Sequence, residues 1–368
     1  LKCNGISGNL LNLFENYLLN RFQRVVLNGN ESNWTSLKAG VPQGSVLGPL
    51  LTDNISSDMR LFADDSSLFT CVKDVAQTHH KLVKDLKTVS LWAYQWKMVF
   101  NPDITKQAIE IIFSCKKNKP VHPDLIFNDV PVSREPFTKH LGVYLDSRLN
   151  FCKHIKEQVL KAMKGVSLLK FLCKYVDRNV LDLSYKMYVR PHLDYGDIIF
   201  HNQRMDLMEL IERVQYKAAL IVSGCWQGTS REKLYDELGW ESLSDRRWAR
   251  RMTTFYKINN GLAPSYLYEH VPQRNEITFN LRNRVDRIPL IRTERYENSF
   301  YPYTIKAWKN MDTEAKSKPS VQSIKRHLND VINRGLNYSL KSELAFQTYA
   351  TIGSIIISTV ITLSARVI

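Results

Sequence analysis

The sequence has few cysteines, and they lie far apart. The six are Cys3, Cys71, Cys115, Cys152, Cys173 and Cys225, and none of them forms a CxxC pair. Closely spaced cysteines are the pattern of structural zinc sites and of small secreted domains held by disulfides. Their absence excludes both classes and predicts an intracellular protein, in the nucleus or the cytoplasm, with free thiols.

The sequence also lacks a secretory signal peptide, internal repeats and low-complexity runs, and it begins with Leu1 rather than Met. We therefore expect a globular chain that is a fragment or an incomplete gene model. With 368 residues, 44% of them hydrophobic, it can bury a core and form two or three domains.

Acidic residues are in deficit. Asp and Glu number 36 against 51 Lys and Arg, which gives a net charge of +15 and a pI near 9.4. An excess of this size favours a polyanionic partner, either nucleic acid or an anionic membrane surface. The bland alternative is a soluble protein that is merely basic.

Long uncharged runs are rare, and the main one spans residues 344–363 near the C-terminus. About 20 apolar residues suffice to span a bilayer as a helix. However, Gln347 and the many β-branched residues weaken a membrane assignment. Weak membrane association through this tail is one expectation; a buried strand or helix, or sequence read past a natural stop, are the alternatives.

Periodicity divides the chain near residue 150. Before it, "GISGNLLNLFENYLLN" and "DVAQTHHKLVKDLKTVSLWAYQWKM" are typical of helices. "RFQRVVLNGN", "QAIEIIFS" and "KHLGVYLDSRLN" are typical of strands and turns. After residue 150, helical patterns dominate. We predict an α+β fold with a mixed domain over 1–150, a helical region over 151–335 and an apolar tail over 336–368.

The segment "RLFADDSSLF", residues 60–69, places Asp64 and Asp65 side by side between two apolar runs. This pattern predicts a hairpin with the doublet at its tip. Adjacent carboxylates repel each other, so the arrangement costs stability unless something neutralises it. Two interpretations stand on this segment alone: a solvated turn, in which Asp is common, or a pair of ligands for a divalent metal.

The segment "GVPQGSVLGPLL" followed by "LFADD" resembles the reverse transcriptase of non-LTR, LINE-type (Jockey-like) retrotransposons. The likeness extends over about residues 1–335. It includes "WKMVFNPDITKQAIEIIFS", "KHLGVYLDSRLNFCKHI", "RVQYKAALIVSG" and "FYKINNGLAP". The resemblance implies a partial polymerase palm of the right-hand reverse transcriptase fold, followed by an all-helical, thumb-like and C-terminal region.

The resemblance also implies roles for individual residues. Asp64 and Asp65 would be the catalytic carboxylates that hold Mg²⁺ or Mn²⁺. Leu141 and Gly142 would belong to the primer grip. Five further residues would contact nucleotide or template: Pro42, Gln43, Gly44, Phe62 and Lys106. The implied partners are an RNA template, a DNA primer or target and deoxynucleotides, with no small-molecule cofactor.

Two departures from the family pattern bear on activity. The motif that supplies another metal-binding Asp precedes the Pro-Gln-Gly segment in the family, and this sequence starts beyond it. After Leu51 about eight residues are missing relative to the family, which would shorten a helix by roughly 12 Å. We therefore expect a truncated, internally deleted copy that is catalytically impaired as an RNA-directed DNA polymerase. The alternative is a non-catalytic remnant that binds nucleic acid.

Four arginines recur within "SLSDRRWARRMTTFYKINNG". Arg246, Arg247, Arg250 and Arg251 lie on or near one predicted helix. They predict contacts with RNA or DNA of little sequence preference, with a binding affinity that falls steeply as salt rises. The alternative is a solvated, charged helix face.

Overall fold

The computed structural model describes residues 7–27, 29–36, 55–62, 65–72, 74–95, 99–100, 108–114, 122–200, 204–271, 294–333 and 357–366. The chain divides into two compact units. The first comprises Leu1–Leu149 with Ile355–Ile368, and the second comprises Asn150–Ser354. The boundary between Leu149 and Asn150 lies where the sequence changes from mixed to helical patterning. The end of the apolar tail belongs to the first unit.

The first unit is mixed α/β. Its described helices are α1 (Gly8–Leu18) and α2 (Val75–Gln95). Its described strands are β1 (Phe22–Gln23), β2 (Val26–Leu27), β3 (Asn30–Glu31), β4 (Thr35–Ser36), β5 (Asp58–Phe62), β6 (Asp65–Val72), β7 (Val99–Phe100), β8 (Ala108–Phe113), β9 (Ile126–Phe127), β10 (Val130–Pro131), β11 (Ser133–Arg134), β12 (Phe137–His140), β13 (Val143–Asp146) and β14 (Ile357–Arg366).

A six-stranded sheet organises this unit, with the order β11-β8-β14-β6-β5 and with β7 paired to β14. Helix α2 buries Leu82, Leu86 and Val89 in a core cluster that also contains Leu68 of β6 and Ala108 of β8. These α2 residues recur at helical spacing, so one stripe of the helix faces the sheet. Burial of these apolar side chains stabilises β6, the strand that begins at Asp65.

Local sequence patterns predicted several of these elements correctly. The helices over 8–18 and 75–95, strand β8 and the hairpin of β5 and β6 are confirmed. The strand-and-turn pattern of "RFQRVVLNGN" is also confirmed, because β2 pairs with β3 and Gly29 has φ +81°. A positive φ is the conformation that glycine adopts without steric cost.

The second unit is helical throughout its described residues. Its helices are α3 (Cys152–Leu172), α4 (Arg178–Tyr188), α5 (Arg190–Asp194), α6 (Asp197–Phe200), α7 (Met205–Ser223), α8 (Arg231–Leu238), α9 (Leu243–Asn259), α10 (Ser265–Tyr268), α11 (Glu294–Glu297), α12 (Phe300–Asn310), α13 (Thr313–Lys316) and α14 (Val321–Asn333).

Helix α9 lies at the centre of one core of this unit. Its Trp248, Met252 and Phe255 pack with Trp308 of α12 and Leu328 of α14. Elsewhere α3 makes a close approach at Gly165, where an added Cβ would lie 2.7 Å from the carbonyl oxygen of Tyr188. That glycine is required because a side chain there would force the helix away from its neighbour.

The end of the apolar tail is a strand, which is one of the alternatives that its sequence left open. Residues 357–363, expected as part of a weakly membrane-associated segment, lie in strand β14 at the centre of the sheet. Residues 344–356 lie outside the described residues. Among the helices that the structure describes, none combines the length and the apolar character needed to cross a bilayer.

Candidate active site

The acidic hairpin, which we define as β5, β6 and the doublet Asp64–Asp65, is formed by an antiparallel pair. The register runs from Asp58 opposite Phe69 to Phe62 opposite Asp65, which leaves two residues between the strands. Asp65 is the first residue of β6 and is partly buried, whereas the Phe62 side chain is 63% exposed. Five predicted site residues lie outside the described residues: Asp64, Pro42, Gln43, Gly44 and Lys106.

The start of the acidic hairpin is anchored to α2. The buried carboxylate of Asp85 accepts hydrogen bonds from the Ser56 amide (2.9 Å), the Ser56 hydroxyl (2.9 Å) and the Ser57 amide (2.8 Å). Burial alone would raise the pKa of Asp85, but these donors outweigh it and hold the pKa below its ordinary value. Hydrogen bonds to a charged carboxylate are strong, so Asp85 holds the residues just before β5 against α2.

A second hairpin lies against the first. Strands β12 and β13 pair antiparallel, and His140 lies opposite Val143 across Leu141 and Gly142. The imidazole of His140 lies 3.3 Å from the Ser67 hydroxyl of β6 and makes an edge contact with the Phe69 ring. The structure therefore brings together the acidic hairpin and the predicted primer-grip turn.

His140 is a site residue that sequence reasoning missed. Burial lowers the pKa of its imidazole below 6.5, and the negative charge of Asp65 acts in the opposite direction. The two side chains are thus close enough for their charges to interact. No local signal pointed to His140, because the contact joins residues 73 positions apart.

The turn after His140 is strained. Leu141 has φ +45° and Gly142 has φ +82°. Two positive φ values are the mark of a type I′ hairpin turn, which favours Asn, Asp and Gly. The β9–β10 turn meets that preference with Asn128 and Asp129, at φ 51° and 62°. Leucine in this conformation costs roughly 1–2 kcal/mol, and such strain tends to gather at functional sites.

The arginine row, which we define as Arg246, Arg247, Arg250 and Arg251 of α9, has counter-charges inside its own unit. Arg250 contacts Asp194 (2.5 Å) and Asp197 (2.9 Å), and Arg246 contacts Asp194 at 3.1 Å. Both carboxylates come from short helices that precede α9 by about 50 residues in sequence.

The other two members of the row are buried. Arg247 and Arg251 are 3% and 0% exposed. Arg251 donates to the Thr304 hydroxyl at 2.8 Å and lies over the rings of Phe300 and Tyr303, and burial lowers its pKa to about 10. These contacts indicate a structural role for the arginine row. They replace the expectation that the four residues form an open surface for nucleic acid.

An open basic surface is present on α3. The lysine face, which we define as Lys156, Lys161, Lys164 and Lys170, is exposed, and no ion pair involves these lysines among the described residues. Exposed Leu160, Leu168 and Phe171 lie between them, and the Phe171 ring is 5.3 Å from that of Tyr175. Lysines interleaved with apolar and aromatic side chains suit phosphate contact and base stacking.

One cluster in the second unit has metal-ligating atoms. Within the described residues, Asp312, Glu314 and His327 bring one ligand atom each to within 4.8 Å of one another. Two of them already have structural partners: Asp312 accepts from the Ala315 amide at 2.8 Å, and Glu314 pairs with Lys318 at 2.6 Å. Capping of α13 by Asp312 and the Glu314–Lys318 ion pair account for the two carboxylates, and His327 lies 3.2 Å from Asp312.

Sequence comparison identifies relatives of the chain. It is 28% identical over 308 residues, 77% of its length, to the probable RNA-directed DNA polymerase from transposon X-element of Drosophila melanogaster. It is 26% identical over 58% of its length to the probable RNA-directed DNA polymerase from transposon BS of the same species. Identity is also 26%, over 59% of its length, to the RNA-directed DNA polymerase from mobile element jockey of that species.

The chain spans 33% of the first relative and 25% of each of the other two. No family model matches it, and no solved structure matches it. The resemblance carried by the Pro-Gln-Gly and Ala-Asp-Asp motifs is nevertheless confirmed by these relatives. The chain is a relative of the RNA-directed DNA polymerases of Drosophila non-LTR transposons.

Proposed function

We propose that the chain is the reverse transcriptase portion of a non-LTR mobile element, with the first unit as a partial palm and the second as a thumb-like region. One observation carries this proposal. Asp65 lies at the start of β6 beside Asp64 in sequence, and the turn at Leu141 and Gly142 is held next to the same strand through His140. The polymerase relatives supply the class of reaction.

The acidic hairpin is the proposed metal site. Adjacent carboxylates at a hairpin end fit Mg²⁺, which takes one or two carboxylates and completes its shell with water and substrate phosphates. Asp65 and Asp64 would hold Mg²⁺ or Mn²⁺, which would neutralise phosphate charge during nucleotidyl transfer. Exposed Phe62 would border the primer terminus. Leu141 and Gly142 would support the primer strand.

We propose that catalysis by this chain is impaired. Nucleotidyl transfer with two metal ions needs carboxylates that converge from more than one strand. The two backbone positions paired with Asp65 in the sheet belong to Phe62 and Ser364. Among the described residues, neither strand neighbour adds a carboxylate beside Asp65, so we expect the doublet to offer too few protein ligands for two metal ions.

The lysine face is the proposed contact for the RNA template and the DNA primer. Its four ammonium groups lie on one helix with no described carboxylate partner, so phosphate binding costs no internal ion pair. The net charge of +15 favours the same partner. This observation also supports the second candidate function, a non-catalytic protein that binds nucleic acid.

A ternary-complex assay tests the proposal. A DNA primer annealed to an RNA template is titrated with the full chain in Mn²⁺, with and without the deoxynucleotide that pairs with the next template base. We expect the matched nucleotide to tighten binding and Asp65→Asn to abolish that gain. Asp58→Asn, at the other end of β5, is the matched control and should keep it.

Each outcome separates the alternatives. Primer extension above the level of Asp65→Asn would show that catalysis is not impaired and would support the polymerase assignment. Binding of template and primer without any nucleotide effect would overturn the polymerase assignment and leave the non-catalytic function. Absence of binding would overturn both.

A further inference from the structure

The central sheet of the first unit is built from two parts that do not touch directly. Strands β5 and β6 form one part, and β8 and β11 form the other. Between them lies β14, which pairs antiparallel with β6 from Ile357–Val72 to Ser364–Asp65 and with β8 from Ser358–Phe113 to Leu363–Ala108. We define the space between β6 and β8 as the acceptor slot.

The strand in the acceptor slot is remote in sequence from everything around it. The other strands of the sheet lie within residues 58–134, whereas β14 spans Ile357–Arg366 and follows the whole second unit. Its sequence "ISTVITLSAR" contains neither Gly nor Pro and is rich in β-branched residues. Such residues favour the extended conformation. The segment is therefore suited to pair as a strand between two sheet edges.

The walls of the acceptor slot are strongly buried. Leu68 of β6 and Ile111 of β8 are 0% exposed, and Ile112 is 5% exposed. Without β14, both strands would present unpaired amides and carbonyls beside these apolar residues, which is unfavourable and invites pairing with another strand. The slot therefore has the character of a binding site for one extended segment.

We propose that the acceptor slot is a strand-binding site and that residues 357–366 of the same chain are its separable ligand. The segment completes the sheet in cis by donor-strand pairing. Because Ser364 pairs with Asp65, the seated segment also closes the sheet edge beside the acidic hairpin. This proposal is independent of the polymerase assignment, since it concerns backbone pairing and needs neither metal nor nucleic acid.

Cross-linking in the full chain tests the seating of the segment. Ser358 lies opposite the natural, exposed Cys71, and directly opposed positions in an antiparallel pair have a Cα separation that suits a disulfide. Under mild oxidation Ser358→Cys should form an intramolecular bond with Cys71, identified by peptide mass mapping. Thr359→Cys is the matched control and should not, because a shift of one residue places the side chain on the other face.

The cross-link also identifies the occupant. A monomeric band on a non-reducing gel supports occupancy in cis. A cross-linked dimer would show that a second copy fills the slot and would overturn occupancy in cis. Equal oxidation of Ser358→Cys and Thr359→Cys, or failure of both, would overturn the proposed pairing.

Separability is tested with Val360→Pro in the full chain. Each N–H of a central strand bonds to one neighbour or the other, and proline removes one and disrupts the ladder. We expect faster hydrogen exchange of amides in 66–71 and 108–113, while α9 in the second unit stays protected. A synthetic peptide of residues 355–368 should restore that protection, whereas the same peptide with Val360→Pro should not.

Two results would overturn separability. Unchanged exchange in Val360→Pro would show that the sheet does not need the segment. Weaker protection that the natural peptide fails to restore would show that the segment is an integral strand rather than a ligand. If Val360→Pro also unfolds α9, the natural peptide is instead added to the Ser358→Cys chain before oxidation, where it should displace β14 and slow the cross-link to Cys71. An unchanged cross-linking rate would overturn the proposal.

Discussion

The acidic hairpin and the arginine row both carry repeated like charge, but among the described residues only the arginine row has counter-charges. Carboxylates of α5 and α6 lie 2.5–3.1 Å from the guanidinium nitrogens of Arg246 and Arg250. Aromatic rings surround Arg251. Asp65 has no ion pair among the residues that the structure describes, and its described electrostatic neighbour is the imidazole of His140. A repeated charge is structural where the same unit supplies its counter-charge.

The lysine face is a third cluster of like charge. It carries the same sign of charge as the arginine row but has no described ion pair, so it resembles the acidic hairpin in leaving its charge available. The position of the counter-charges, rather than the density of basic residues, therefore distinguishes a structural cluster from a candidate binding surface.

The largest effect is expected from removing a counter-charge of the arginine row. Asp194→Ala removes the carboxylate that Arg246 and Arg250 share, while Arg246 keeps Glu241 and Arg250 keeps Asp197. The free energy of unfolding should therefore fall by roughly 1–3 kcal/mol, the usual cost of losing hydrogen bonds to charged groups. Asp65→Ala should change it by less than about 0.5 kcal/mol, as is usual for a residue without such partners. Urea titration followed by tryptophan fluorescence measures both. Equal effects would remove the distinction between the two clusters.

The next effect concerns salt dependence. Replacing Lys156 and Lys164 with Gln should weaken binding to an RNA–DNA hybrid. It should also reduce the slope of log K against log salt by about 0.7–0.9 for each phosphate that is no longer neutralised. Lys233→Gln with Lys257→Gln, two exposed lysines of α8 and α9, is the matched control. A similar weakening in the control would show that the hybrid is bound by the overall positive charge rather than by the lysine face. Fluorescence anisotropy over a series of salt concentrations supplies the slopes.

A smaller effect is expected at the turn beside the acidic hairpin. Leu141→Asn suits the positive φ and should raise the free energy of unfolding by about 1 kcal/mol. Asp129→Leu makes the opposite exchange at φ 62° and should lower it by a similar amount. Urea titration again gives both values. A destabilised Leu141→Asn would mean that contacts of the leucine side chain outweigh its backbone strain.

The smallest effect is electrostatic. Burial keeps the pKa of His140 below 6.5, so its contribution to stability is present above pH 6.5 and is lost as the pH falls through the folded-state pKa. Asp65→Asn removes a negative charge that opposes this shift, so the pKa should fall further. Asp58→Asn should leave it unchanged. NMR titration of the imidazole Cε1–H measures each pKa, and no response to Asp65→Asn would mean that the two side chains are not neighbours.

Local patterns were sufficient for elements whose signal lies within a few residues. Helix α2 and the β5–β6 hairpin follow from apolar periodicity, and α9 follows from its stripe that includes Trp248 and Phe255. The change of pattern near residue 150 coincides with the division between units. In these cases side-chain spacing alone determines which face is buried.

Local sequence patterns could not predict contacts between residues that are distant in sequence. The apolar tail left a membrane segment and a buried strand both open, because composition does not reveal that β6 and β8 receive it as a strand. The arginine row looked like a binding surface because Asp194 and Asp197 precede it by about 50 residues. His140 went unnoticed because its neighbours Ser67 and Phe69 are also distant in sequence.

Mn²⁺ binding can be measured directly to determine whether the charge of the acidic hairpin is available to a cation. Electron paramagnetic resonance of free Mn²⁺ is recorded during titration of the full chain, of the Asp64→Asn, Asp65→Asn double variant and of Asp312→Asn. We expect the double variant to lose one class of Mn²⁺ site and Asp312→Asn to retain it. Equal Mn²⁺ binding by the wild type and the double variant would show that the acidic hairpin does not bind the cation.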